Sequence, residues 1–262
     1  MPGSAEELAA LCVLLRQKGE EPFLLGNGTN ILFPDRGLSR PVVKTCRNVG
    51  AVRVEGTRLI AECGATLASA ATSARDAGLA GLAFAHGIPG SVGGGVVMNA
   101  GAYGGELKDV AVETDYLDED LVLRTLRGAE HGFSYRHSFL SDHPGVVLRC
   151  VFELTAGDPA KITADMQALM DKRRASQPLE MPSAGSTFKR PVGGFAAALI
   201  DEAGLKGFSV GGAQVSPKHA GFVVNTGGAT CEDVLRLMEH IQKTVLERSG
   251  IELEPEVRIV RE

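Results

Sequence analysis

Residues 81–105, GLAFAHGIPGSVGGGVVMNAGAYGG, contain nine glycines and almost no charge. A glycine inside a regular element costs about 0.5–1 kcal/mol relative to alanine, so nine together are there for backbone shape. This composition argues against an amphipathic helix. It fits either a run of tight turns or a backbone surface that offers bare N–H groups to a large anionic ligand. Gly26-Asn27-Gly28-Thr29-Asn30 is a second glycine loop, placed after the apolar run Pro22–Leu25. It is neither a Walker A loop nor a G-x-G-x-x-G fingerprint, and the next element reads as a strand. A hairpin turn is the plain alternative. Two such loops in one unit favour an extended pyrophosphate site.

Other residues could carry chemistry. Ser186 lies in Ser183–Pro191 (SAGSTFKRP), flanked by Gly185 and followed by Lys189, and would suit a polar group held against a substrate. The G-x-S-x-G elbow of a hydrolase is missing. Arg136, in Tyr135-Arg136-His137-Ser138, offers a planar fork for a carboxylate or phosphate. Glu254-Pro255-Glu256-Val257-Arg258 opens the last strand and offers a carboxylate to a cleft. Each has a plain alternative: a capped loop, a surface arginine, a charged strand end. His86 and His219 have no metal-ligand partner at i+4 and no C-x-x-C neighbour, so no metal site is read.

Periodicity and caps give the helices and strands that carry these residues. Ser4-Ala5-Glu6-Glu7 opens a helix that ends at Gly19. A second helix runs from Thr66 to Ala77, with Leu67, Ala70, Ala71 and Ala74 on one face. Strands are expected at 22–25, 31–33, 42–44, 52–55, 58–63, 110–117, 121–126 and 146–154. Ala156-Gly157-Asp158-Pro159 breaks the pattern, which divides the chain into 1–155 and 156–262. Beyond it come a helix from Ile162 to about Arg174, an irregular stretch from Gln177 to Gly194, and a short helix at 195–203. A strand at 222–225, a long helix from Cys231 to Arg248 capped by Thr230, and a last strand at 253–260 complete the order. The class is α+β.

With 262 residues, 44% of them hydrophobic, the chain can bury substantial cores. A net charge of −5 without extended basic clusters argues against nucleic acid. Cys12, Cys46, Cys63, Cys150 and Cys231 are odd in number and widely spaced, which fits reduced thiols in the cytoplasm. No apolar run is long enough for a bilayer, and no signal peptide opens the sequence.

Taken in order, the motifs LLGNGTNILFPDRG, HGIPGSVGGGVVMNAGAYGGE, FSYRHS, SAGSTFKRP, GLKGFSVGGAQVSPKHAGFVVN and LEPEVRIV closely resemble the UDP-N-acetylenolpyruvoylglucosamine reductases over essentially the whole chain. The resemblance implies an FAD-binding domain of the vanillyl-alcohol oxidase / p-cresol methylhydroxylase type, plus a smaller α+β substrate-binding domain. It implies FAD held by Gly26, Asn27, Gly28, Thr29 and Asn30 and by Gly87, Ile88, Pro89, Gly90, Ser91, Gly93 and Gly94. Asn99, Gly101 and Ala102 would continue that wall. NADPH as reductant and a UDP-sugar as substrate also come from the resemblance, with ping-pong turnover in one cleft. Ser186, Arg136 and Glu256 match the family's catalytic serine, arginine and glutamate. Tyr135, Arg173, Arg174, Lys189, Gln214 and Lys218 fall where substrate contacts are expected. The chain resembles the subgroup without a tyrosine-bearing lid, and a monomer is expected. The family carries a further segment with an Arg-x-Gly-Gly stretch ahead of the first helix, so the 262-residue form is expected to bind FAD poorly. Two other readings stay open: an FAD-linked oxidase of the same fold, and a flavin- or sugar-nucleotide-binding module without turnover.

Overall fold

The structure is a computed structural model that describes residues 1–45 and 47–261, with the Arg47 side chain left aside. The expectation for the Cys46 thiol lies outside the described residues. Residues 1–27 and 40–172 form one compact unit, and residues 28–39 and 173–262 form another.

In the first unit, α1 (Ala5–Gln17) starts where the Ser4 hydroxyl accepts the Glu7 amide at 3.2 Å. The second helix, α2 (Leu67–Asp76), is capped in the same way by Thr66 and buries Leu67, Ala70, Ala71 and Ala74. These faces pack with an antiparallel five-stranded sheet in the order Leu123–Arg127, Ala111–Leu117, Val146–Glu153, Arg58–Glu62, Val52–Glu55. Phe152, Leu59, Leu67 and Leu107 are fully enclosed. A parallel pair, Phe23–Leu25 beside Val42–Lys44, leads into the first glycine loop.

The glycine-rich segment departs from its expectation, because Val92–Met98 is a helix (α3). Its sequence, VGGGVVM, has poor helix propensity, and packing overrides that. An added Cβ at Gly93 would lie 3.0 Å from Cys63 Cβ, and one at Gly95 would lie 3.0 Å from Leu107. The glycines let the helix axis approach the sheet closely, while Val92 and Val96 fill the core. A short helix, α4 (Phe139–Asp142), follows later in this unit.

The boundary also differs from the one expected near residue 155. Thr155–Ala156 pairs with Leu79–Ala80, and the Gly157 amide donates to Gly78 O at 2.8 Å. The next helix, α5 (Pro159–Ser176), buries Ile162 and Met166 in the same core, so the chain leaves this unit only after Lys172.

The second unit packs α6 (Ala196–Glu202) and α7 (Cys231–Ser249) with a four-stranded antiparallel sheet in the order Ser183–Ser186, Phe222–Asn225, Ala213–Val215, Ser209–Val210. Leu237, Met238, Ile241 and Val245 of α7 are buried, and a Thr230/Asp233 capping box starts the helix. Residues 28–39 belong here because Ile31–Leu32 pairs in parallel with Arg258–Ile259. The strand expected at 253–260 contracts to those two residues, since the preceding backbone is tied to Thr187 and Lys189 instead.

Candidate active site

The two glycine loops meet within the first unit. Asn27 Nδ2 donates to Pro89 O at 2.8 Å. Gly26 lies against Ser91, and a Cβ there would sit 2.4 Å from Ser91 Oγ. Ser91 is itself buried and caps α3, its hydroxyl accepting the Gly94 amide at 3.3 Å. The Gly93 amide donates to Cys63 O at 2.9 Å. Among the described residues, no acceptor takes the amides of Gly90 and Ser91. Gly94 is exposed, and a Cβ there would meet nothing closer than Ser91 Oγ at 3.5 Å. A side-chain-free surface with donor groups to spare is what a flavin pyrophosphate requires, and these residues fit FAD. Ile88 packs against the core, while Pro89 is exposed.

Gly101 and Ala102 form a two-residue strand paired with Gly105–Glu106 across Tyr103 and Gly104, both at positive φ (55° and 90°). Arg136 Nη2 donates to Gly101 O at 3.2 Å, and its guanidinium lies 5.0 Å from the Tyr135 ring centre. Tyr135 is exposed. Arg136 has φ 55°, a conformation in which L-residues are strained. Asn99, expected along the cofactor wall, is different: it is fully buried and its carboxamide is engaged inside the unit. A side chain with no exposed atom does not line a cleft.

In the second unit Ser186 and Glu256 come together. Ser183 stands opposite Val224 and Ser186 opposite Phe222, so one extra residue is accommodated on the serine strand, where Gly185 has φ 77°. Thr187 organises the junction. Its amide donates to Gly221 O at 2.9 Å, its hydroxyl accepts the Val223 amide at 3.0 Å, and its carbonyl accepts the Glu256 amide at 2.9 Å. Asn30 Nδ2 donates to Glu256 O at 3.1 Å, and the Arg258 amide donates to Asn30 O at 3.0 Å. Gly28 turns with φ 71°, and a Cβ on Gly185 would face Thr29 O at 3.9 Å. The end of the first loop is thus built onto the Ser186–Glu256 pair. Nothing in the sequence around Thr187 or Asn30 marks these joints, because their partners are about 36 to 226 residues away.

The remaining expected contacts have local partners. Lys189 pairs with the Glu254 carboxylate. Gln214 folds back on its hairpin, donating to Gly207 O at 3.2 Å and Ser209 Oγ at 3.0 Å. Lys218 Nζ donates to Arg174 O at 2.7 Å, in the last turn of α5, and lies 3.8 Å from Glu180. Arg173 is half-buried and Arg174 exposed. His219 accepts the Gly221 amide at 3.1 Å, and burial pushes its imidazole below the ordinary range. Burial likewise pushes the Cys63 and Cys150 thiols up to about 12, so neither is a nucleophile at neutral pH.

Residues 1–127 match the family model of an FAD binding domain, which makes the first glycine-rich unit a flavin carrier. Residues 177–260 match the model of the UDP-N-acetylenolpyruvoylglucosamine reductase C-terminal domain. The chain is 50% identical to the UDP-N-acetylenolpyruvoylglucosamine reductase of Caldanaerobacter subterraneus subsp. tengcongensis, over 100% of this chain and 86% of that protein. It is 47% identical to the enzyme of Levilactobacillus brevis at the same coverage. The crystal structure of the Thermus caldophilus reductase superposes with a TM-score of 0.83 at 33% identity, covering 99% of this chain and 91% of that one. The chain belongs to the UDP-N-acetylenolpyruvoylglucosamine reductase family.

Proposed function

We propose that this chain reduces the enolpyruvyl group of UDP-N-acetylglucosamine enolpyruvate to UDP-N-acetylmuramate at the expense of NADPH, with Ser186, Arg136 and Glu256 as its catalytic residues. The chemistry supplied by bound FAD is hydride relay, from NADPH to the enolpyruvyl C3. Addition at C3 pushes negative charge onto C2 and the adjoining carboxylate. Arg136 binds that carboxylate through its fork and stabilises the enolate-like charge. Ser186 delivers the proton to C2. Glu256 carries or shares a proton, because an ionised carboxylate beside the developing charge would oppose the reaction. Gly26, Asn27 and Gly87–Gly94 hold the flavin pyrophosphate, and Lys189, Gln214, Lys218 and the Arg173–Arg174 pair line the sugar-nucleotide side.

The observation that supports this assignment is the Glu256–Thr187 hydrogen bond, which brings two candidate residues 70 positions apart onto adjacent backbone. No helix among the described residues is long and apolar enough to cross a membrane. The described cysteines Cys12, Cys63, Cys150 and Cys231 are free thiols, which supports work in the reducing cytoplasm.

Absorbance from 300 to 550 nm tests the reading. Flavin bands that bleach with anaerobic NADPH and return on adding the enolpyruvyl sugar are expected. Return with oxygen alone would indicate an oxidase. Protein that takes up no FAD would indicate a binding module.

A further inference from the structure

Asn99 follows α3 in left-handed backbone, φ 42°, and is wholly buried. Any small cap would end the helix, and glycine would do so without strain. Asn99 does more. Its Nδ2 donates to Ser134 O at 2.9 Å and to the Glu106 carboxylate at 2.5 Å, and its Oδ1 accepts the Lys108 amide at 2.9 Å. Ser134 opens a tight turn closed by Ser134 N to His137 O at 3.1 Å and His137 N to Ser134 O at 3.2 Å. Tyr135 and Arg136 stand at its corner. The far side of the turn is gripped from the same helix end, because the Ser138 and Ser141 hydroxyls both donate to Val97 O at 2.9 Å.

The strained Arg136 backbone is therefore held on both flanks by the last turn of α3. A non-glycine residue at such a φ costs about 1–3 kcal/mol and persists only where its surroundings impose it. We propose that Asn99 is a positioning residue for Arg136: by fixing the Ser134 carbonyl from inside the unit, it sets the turn that presents the guanidinium. Asn99 touches neither substrate nor cofactor. The proposal rests on the catalytic reading of Arg136 given above.

The test compares Asn99→Gly, Arg136→Ala and the double variant as holoenzymes in stopped flow. Glycine keeps the left-handed cap and removes only the carboxamide. Asn99→Gly is expected to retain stoichiometric FAD and wild-type reduction by NADPH, while re-oxidation by the enolpyruvyl sugar slows about 10- to 100-fold, the scale of a 1 Å misplacement. In the Arg136→Ala background, Asn99→Gly should add less than about twofold, since its effect passes through the missing guanidinium. An equal loss in both backgrounds overturns the proposal. Wild-type re-oxidation in Asn99→Gly also overturns it, while leaving Arg136 in place if Arg136→Ala is slow. Wild-type re-oxidation in Arg136→Ala removes the reading of Arg136 and this proposal with it. If Asn99→Gly does not fold, Asn99→Asp, which keeps volume and cap but replaces the donor, takes its place in the same cycle. Failure of both to fold assigns Asn99 to stability alone and overturns the proposal.

Discussion

The backbone amide of Glu256 donates to the carbonyl of Thr187 at 2.9 Å, which fixes the Glu256 segment against the residue that follows Ser186. Phe188 and Pro255 bridge one step further on, and Lys189 N donates to Glu254 O at 2.8 Å. These two hydrogen bonds, one on each side of the Phe188–Pro255 bridge, make one mount for a hydroxyl and a carboxyl. Rigid mounting matters because a proton donor acts only at hydrogen-bond distance from the atom it protonates.

Ser186→Ala removes that hydroxyl without disturbing the ladder, since the links run through backbone atoms. Turnover should fall roughly 10²- to 10⁴-fold, the usual contribution of a positioned proton donor. Reduction of bound FAD by NADPH should proceed at the wild-type rate. Single-mixing stopped flow separates the two half-reactions, and equal slowing of both would make Ser186 a binding residue.

Asn27→Ala deletes the hydrogen bond that joins the two glycine loops at Pro89 O. The bond lies at an exposed position, so its net worth is about 0.5–1.5 kcal/mol, or roughly a 2- to 12-fold rise in the FAD dissociation constant. Gly26→Ala should weaken FAD binding more, because its methyl group would meet Ser91 Oγ at 2.4 Å and force the loops apart. Fluorescence titration of apoprotein with FAD ranks the two variants, and the reverse order would mean that the loops do not share one ligand.

Stability should decline as pH falls from about 7 to 5. Burial holds His131 below the ordinary imidazole range of about 6.5, while its ring bonds Gly128 O and Thr114 Oγ1, both at 2.9 Å. Above pH 6.5 both folded and unfolded chains carry a neutral ring, and the native state loses nothing. Below it the unfolded chain takes up the proton first, which favours unfolding until the lower native value is reached. His219 is shifted in the same direction by the same cause. Asp118, Glu153 and Asp233 lie below the ordinary carboxylate range and lose their contribution only in more acid solution. Melting temperature against pH should therefore be flatter between 7 and 5 in His131→Gln, and flatter again in the His131→Gln/His219→Gln pair. A wild-type slope in the double variant would move the effect to other groups.

Local signals made much of this architecture readable in advance. Ser4, Thr66 and Thr230 each announce a helix start, and Gly250 ends α7 in left-handed backbone at φ 70°. The strands Val42–Lys44, Val52–Glu55 and Phe222–Asn225 lie where alternation and turn residues placed them. What escaped was set at long range. Residues 28–39 join the second unit through pairing with residues more than 200 positions away, and no local pattern encodes such a partner. The catalytic candidates were legible as motifs, but the Thr187 joint that unites Ser186 with Glu256 was not. Asn99 was expected along the cofactor wall; its inward carboxamide is set by Ser134, 35 residues on, which no local pattern encodes.

The glycine helix α3 is where propensity and packing point in opposite directions, and two neighbouring substitutions separate them. Replacing a helical glycine by alanine gains about 1 kcal/mol of helix propensity when nothing else changes. At Gly93 the new methyl group would lie 3.0 Å from Cys63 Cβ and 3.2 Å from Cys63 O, which is backbone and gives way little. Overpacking of this kind costs about 1–3 kcal/mol, so Gly93→Ala should melt at a lower temperature. At Gly94 the nearest atom is Ser91 Oγ at 3.5 Å, an ordinary contact, and the residue is exposed. Gly94→Ala should therefore raise the melting temperature of the apoprotein. The same methyl group stands on the surface assigned to the flavin pyrophosphate, so FAD affinity should fall at least several-fold while stability rises. Calorimetry of the apoprotein and FAD titration of both variants check the pair. A Gly94→Ala protein that gains stability and keeps wild-type FAD affinity would remove the pyrophosphate from this face of α3 and confine it to the amides of Gly90 and Ser91.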